Sequence, residues 1–491
     1  MLYFEQIYDF SYNLTNMFPA VIRRTIEYVE IEDALKFRLI GSEYTFGDFD
    51  YFSKMKLGAT FVYRNFTSKF LTQQTSNFGK VLKFNSESLQ LNQKRFLLKY
   101  LKKYGDFVQY IHTLNLKEIL IRGVSSFGVV ECGVQNCPHT TLHTHIHTLD
   151  LTFSRIKDVS ALSEVHTLNL RHTKVCDVTS LSKVHDLNLS NTSVCDVSTL
   201  GNVYNLNLRS TSVVDVSALR GVRILDLSNT KVEDVSALGN VHTLNLSDTM
   251  VSDVSALGKV HTLDLSWTKV VDVTNLSEVY NLSLKNTKVV DVSALGKIKC
   301  AIKNCICEQH NPNHTAVHIL NLSCTGVTDV SALHNVYDLD LSHTKIKDVT
   351  GFEKVYSLSL EHSLVTDISP LAKVRCNFTR CNYATYNLAH THIHKLNLKS
   401  TGVEHVELLF NVYHLNLSYT PVTYVNTLGL AYCTTENCKY RKWRENHNAV
   451  HILNLNGTEI SDITNIENIH TLSLYHTKVD SNIISKIHTR H

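Results

Sequence analysis

The sequence predicts a solenoid with a parallel β-sheet on its concave face, one short strand per repeat, and short 3₁₀ or irregular returns. A small, mostly helical N-terminal domain precedes it. Three observations carry this expectation. Val165, Val184, Val203, Val222, Val241, Val260, Val279 and Ile298 are each 19 residues apart, and the step continues through Val317, Val336, Val355, Val374, Ile393, Val412, Ala431, Val450 and Ile469. Inside most steps two leucines alternate with polar residues, the period of a half-buried strand. Thr and Asp also return at fixed places in most steps. A short unit copied in register buries its apolar face only against its neighbours, so the periodicity dictates the architecture.

The first 106 residues show no such step and are rich in Phe and Tyr. Pro19 stands at a helix entry, and Ile22, Ile26 and Val29 follow at helical spacing. Asp33 suits the cap of a second helix that holds Leu35, Phe37, Leu39 and Ile40. The run Phe18 to Tyr44 resembles the F-box, and residues 1–50 are assigned to an F-box-like segment. The resemblance implies that Phe18, Pro19, Ile22, Ile26, Val29 and Leu35 bind a Skp1-like adaptor of a cullin ubiquitin ligase. The chain departs from that pattern: Phe18 stands for Leu, Val21 for Glu, and Tyr28-Val29 align only after one residue is dropped. The other reading of this segment is a helical cap sealing the first repeat. Residues 51–106 read as a mixed cap region, in which Leu91 to Gly105 forms a basic amphipathic helix against the first repeat at Ile111.

Residues 107–491 are the solenoid. In the unit Val241 to Lys259, Leu244 and Leu246 alternate with Thr243, Asn245 and Ser247. The remainder, Met250 to Lys259, is too short for an α-helix and predicts a turn with a 3₁₀ or irregular return. Thr249 and its equivalents are placed to hydrogen-bond backbone groups that a tight bend leaves unpaired. Asp253 and its equivalents, each followed by a segment like Val-Ser-Ala-Leu, predict a cap on one helical turn. The segment V-x-x-L-x-L-x-x-T-x-V resembles the strand half of the leucine-rich repeat, with Thr in place of Asn, and D-V-S-A-L resembles the internalin-like subclass. That resemblance implies a parallel sheet along an arc. About twenty units would stack to roughly 95 Å at about 4.8 Å per strand. An F-box before leucine-rich repeats of low divergence also resembles proteins encoded by giant DNA viruses.

Composition narrows the partners. The net charge is +3, which points to no polyanion. No apolar run is long enough for a membrane span, and the start MLYFEQIYDF lacks the features of a secretory signal. The expected location is therefore a reducing cytoplasm (of the host cell, if the source is viral) or nucleus. There, 12 cysteines suggest metal ligands or core residues before disulfides.

Four units, at 130–145, 298–316, 374–392 and 431–449, break the leucine rule. The last three carry Ala301 and Lys303, Asn377 and Thr379, or Thr434 and Glu436 at the leucine positions. Each unit has two cysteines in C-x₄-C spacing followed by H-x₃-H. The sets are Cys132, Cys137, His143 and His147; Cys300, Cys305, His314 and His318; Cys376, Cys381, His390 and His394; Cys433, Cys438, His447 and His451. Two thiolates and two imidazoles form the donor set of a closed, tetrahedral structural zinc site, and metal binding can order a unit that lacks an apolar core. The competing reading is a divergent repeat spread by duplication, because His is common at the second repeat position anyway. The Cys-to-His gap is too short for a ββα finger, which argues against DNA reading.

The second repeat position forms a column of His and Tyr, and the fifth a column of Asn, Asp and Ser, giving a polar concave face for a protein target. Gly-rich phosphate loops, nucleophile elbows and H-E-x-x-H helices are absent from the sequence, so no enzyme is expected. The sequence supports an interaction solenoid that acts as the target adaptor of a cullin-type ubiquitin ligase. The alternative is a zinc-stapled binding scaffold with no ubiquitin role.

Overall fold

The computed structural model describes residues 83–85, 113–117, 121, 124, 146–302, 305, 313–372, 393–431 and 448–481. The F-box-like segment lies outside them. By compactness the chain divides into two units, 1–213 and 214–491, so the division falls inside the repeat array.

The first unit holds β1 (Lys83–Asn85), β2 (Thr113–Asn115), β3 (Thr148–Asp150), β4 (Thr167–Asn169), β5 (Asp186–Asn188) and β6 (Asn205–Asn207). Neighbours in this order pair in parallel, each leucine opposite the next. β1 was not expected: Phe84 takes the leucine register against Leu114, and the strand lies off the 19-residue step. The second unit runs from β7 (Ile224–Asp226) through β8 (Thr243–Asn245), β9 (Thr262–Asp264), β10 (Asn281–Ser283), β11 (Ile319–Asn321) and β12 (Asp338–Asp340). It continues with β13 (Ser357–Ser359), β14 (Lys395–Asn397), β15 (His414–Asn416), β16 (Ile452–Asn454) and β17 (Thr471–Ser473). These too pair in parallel in chain order. Each unit thus has leucine-rich repeat architecture.

One repeat shows why the chain folds this way. Val241, Leu244, Leu246, Val251, Val254 and Leu257 are all buried. Strand residues 243 and 245 face outward and Leu244 inward, as pleating requires. The return is a single 3₁₀ turn at Ser255–Leu257. Thr249 Oγ1 donates to the Leu246 carbonyl at 2.6 Å, and its equivalents repeat the bond at 2.6–2.7 Å from Thr173 to Thr458. The threonine column therefore does what the sequence suggested.

The aspartate column works one residue earlier than a cap. Asp253 Oδ1 accepts the N–H of Ser255, the first residue of the 3₁₀ turn, at 2.9 Å, while Val254 occupies the cap position. The same bond recurs at Asp158, Asp177, Asp215 and Asp234. The backbone amide and the hydroxyl two residues on hold these carboxyls below their ordinary value of 3.8. A depressed folded-state pKa adds stability that is complete above 3.8 and is lost as the pH falls through the folded value. The thermal midpoint is accordingly expected to hold steady down to about pH 4 and to drop below it. Asn at positions 215, 234 and 253 keeps the acceptor and removes the proton, so that triple variant shows a shallower acid limb in a pH series of melts. An unchanged limb would show the column to be inert.

The largest departure from expectation is in register. Thr113 pairs with Thr148, Asn281 with Ile319, Ser357 with Lys395 and His414 with Ile452. Each pairing steps over one whole unit, and the four units stepped over are the four that carry the Cys/His sets. Within each unit of the chain the sheet closes across them. The physical cause is at hand for three of them. Ala301 and Lys303, or Asn377 and Thr379, or Thr434 and Glu436, cannot fill the slot that two leucines fill elsewhere.

Candidate functional site

Of the residues expected to bind metal, the structure brings one complete set together. Cys300, Cys305, His314 and His318 offer ligand atoms that all lie within 4.8 Å of one another. Cys305, His314 and His318 are buried and Cys300 is half-buried.

The chain positions each donor by a local hydrogen bond. His318 Nδ1 lies 2.6 Å from the Ala316 carbonyl, an oxygen that only accepts, so Nδ1 carries the proton. Its Nε2 is then a lone pair, and it faces Cys305 Sγ at 3.0 Å. Burial pushes the His318 imidazole below its usual range, and His314 beside it adds to this, against the Ala316 hydrogen bond, which pulls upward. Burial thus favours the neutral ring, the form that ligates metal. Cys300 Sγ accepts the N–H of Ile302 at 3.4 Å, which fixes the thiol against its own turn. The His314 and His318 rings meet edge-on, 4.7 Å apart at 69°, and so approach a common point from different directions.

This arrangement fits a four-coordinate ion. Zinc–sulfur and zinc–nitrogen lengths of about 2.3 and 2.0 Å imply a sulfur–nitrogen edge of roughly 3.5 Å in a tetrahedron. The 3.0 Å separation of Cys305 and His318 reaches that by a shift of about half an ångström.

In the other three sets the cysteines and first histidines (Cys132, Cys137, His143, Cys376, Cys381, His390, Cys433, Cys438 and His447) lie outside the described residues, as do Phe18, Pro19, Ile22, Ile26, Val29 and Leu35. The second histidines are described, and all are buried: His147, His394 and His451 join His318. His451 Nδ1 meets the Ala449 carbonyl at 2.7 Å, the bond that His318 makes to Ala316.

These four histidines also belong to the second-position column, as the competing reading held. That column is a stack of rings. His147, His166, His185 and Tyr204 stack at 4.2–4.7 Å in the first unit. In the second, Tyr280 stacks on His318, Tyr356 on His394 and Tyr413 on His451, each pair spanning a stepped-over unit.

The fifth-position column proves to be structural. Asn245 Oδ1 accepts the N–H of Ser247 at 3.0 Å, and Asn188, Asp264 and Asn321 bend in the same way to end their strands. One side-chain oxygen of each is thereby engaged by the chain itself. A column that sequence reasoning missed lies one residue before the threonines. There the backbone is left-handed, φ 54–69°, from Phe153 to His476. Asn191, Asn229, Asn286 and Asp248 tolerate that conformation and were the legible signal. Phe153, Trp267 and Tyr419 do not tolerate it well, yet they hold it with their side chains exposed by 46, 59 and 56%. Left-handed backbone at such residues costs about 1–2 kcal/mol each, and exposed aromatics of this kind are common anchors of interfaces.

No family profile and no curated protein matches this chain. Among solved structures it is similar to an internalin (InlF) from Listeria monocytogenes, at 18% identity over 70% of this chain and 91% of that one, with a TM-score of 0.46. It is similar to a leucine-rich repeat protein of Leptospira interrogans at 16% identity, over 79% and 96%, with a TM-score of 0.47. A third likeness is to the functional domain of InlJ from Listeria monocytogenes, which includes a cysteine ladder, at 15% identity over 74% and 72%, with a TM-score of 0.41. The repeat architecture itself rests on the strand register given above.

Proposed function

We propose that this chain is a non-catalytic protein-interaction scaffold, that it serves as the target-recognising adaptor of a cullin-type ubiquitin ligase, and that zinc is the structural cofactor of its Cys/His units. The observation that carries the scaffold reading is the open outer face of the strands in each unit, rimmed by stacked rings and by the exposed Phe153, Trp267 and Tyr419. A protein target on that face fits the aromatic enrichment of binding sites. The described residues contain no helix long and apolar enough to cross a membrane. The adaptor role draws on the F-box resemblance of residues 18–44, with Pro19 and Ile26 in the contact with a Skp1-like protein. It places the protein in the cytoplasm or nucleus, where such ligases work.

A pull-down of the full chain with a Skp1 homologue tests the adaptor role. Wild type is retained, while Pro19→Ala weakens and Ile26→Asp abolishes retention, the latter by at least about tenfold. A wild-type chain that fails to bind removes the ubiquitin role and leaves the zinc-stapled scaffold, which the sheet face and the Cys/His centre support independently. Zinc content of the purified protein tests the cofactor: a metal-free chain refutes it.

A further inference from the structure

The unit 298–316 is expelled from the sheet, yet it is tethered at a closed neck. Ala316 N–H donates to the Ile298 carbonyl at 2.8 Å and Cys300 N–H to the His314 carbonyl at 3.2 Å, so the outgoing and returning chains run antiparallel. Thr315 N–H donates to the Asn335 carbonyl of the following repeat at 3.1 Å. Two described aliphatic residues of the unit lie open to solvent. Ile298 is 37% exposed and Ile302 53%, whereas the residues that flank the excursion, Leu295 and Val317, are fully buried. Meanwhile Leu282 pairs directly with Leu320, and the sheet shows no gap where the unit left it.

The Cys/His centre sits across this junction. Cys300, Cys305 and His314 belong to the expelled unit. His318 belongs to the solenoid: it precedes β11, stacks on Tyr280 at 4.1 Å and is fully buried. Three ligands on one side and one on the other make the centre a link between the unit and the sheet.

We infer that the ion replaces the core this repeat lacks: zinc clasps a whole expelled repeat onto the solenoid through His318, so that the unit orders with metal while the strands beside it stand without it. The inference rests on zinc occupying the centre. Metal binding supplies folding free energy where burial cannot, and nothing in the pairing of β10 with β11 passes through the unit.

The neck is not peculiar to one place. At the unit 431–449, Ala449 N–H donates to the Ala431 carbonyl at 2.8 Å and Asn448 N–H to the Asn468 carbonyl at 3.3 Å. These match, position for position, the bonds of Ala316 and Thr315. His451 then repeats the burial and the Nδ1 bond of His318. The same exit and return are thus built twice from described residues.

Hydrogen exchange on the full chain tests the inference, with zinc as the only added metal and its content measured first. With zinc bound, amides of 298–316 are protected. Chelation raises their exchange by at least about tenfold, while amides of 281–283 and 319–321 change by less than about twofold. Cys300→Ser gives the same local release without chelator and lowers the zinc content by one equivalent. Deleting 298–316 joins Lys297 to Val317, which then stands one repeat step after Val279. This variant folds with a thermal midpoint within a few degrees of wild type and also binds one zinc fewer. Flanking strands that open together with the unit, a unit that stays protected without metal, or a deletion that fails to fold would each overturn the clasp while zinc remains bound. A chain that carries no zinc overturns the clasp and the cofactor together.

Discussion

Replacing Leu282 with alanine is expected to lower the unfolding free energy of its repeats by about 2–5 kcal/mol, measured by urea unfolding. Ile302→Ala, only 20 residues along, is expected to change it by less than about 0.5 kcal/mol. Leu282 is fully buried and pairs with Leu263 on one side and Leu320 on the other. Its truncation leaves a cavity that a close-packed stack cannot collapse, because each layer is held by the ones above and below. Ile302 occupies an expelled unit, more than half exposed. The contrast inverts what composition suggests, since both are large aliphatic residues inside the repeat region. Equal costs at the two sites would place the unit 298–316 back in the core.

Asn448→Ala is expected to cost about 1–3 kcal/mol, and Asn448→Asp more. Asn448 is fully buried, and its Nδ2 donates to the Gly429 carbonyl at 2.8 Å and to the Asn465 carbonyl at 3.3 Å. It therefore joins the repeat before the excursion to the one after it. Alanine leaves the buried Gly429 carbonyl and the Asn465 carbonyl without this donor. Aspartate goes further, by setting a carboxylate against them, and its penalty eases as the pH falls and the carboxyl takes up a proton. Thermal melts of the two variants at neutral and acid pH separate these effects. A neutral Asn448→Ala would show that the neck is held by its backbone bonds alone.

How much could be read from the chain differs from column to column. The threonines announced their bonds to the strand carbonyls because a hydroxyl recurring at a bend has few other uses. The Asn and Asp of the fifth position looked like a ligand surface. They also end the strands, since a short side-chain oxygen two residues from an unpaired amide bonds to it. The left-handed column was signalled by Asn191, Asn229 and Asp248, but it was hidden at Trp267 and Tyr419, residues that local preference would never place there. β1 was missed because Phe84 stands where leucine is expected and the spacing is irregular.

The amino-acid sequence by itself determined the repeat, its strand and its return, because a 19-residue period with alternating leucines admits one way of burying the apolar side chains. It also marked the units that break the leucine rule and the Cys/His spacing they share, of which the structure brings one set together. Only the tertiary structure decided where those units go. Whether a repeat without leucines stays in the stack depends on the free energy of pairing the strands on either side of it. That is a property of residues 38 apart, such as Asn281 and Ile319, which no local pattern displays. The same closure carried His318 into contact with Cys305, and so assembled the one fully described centre from an expelled repeat and the strand that took its place.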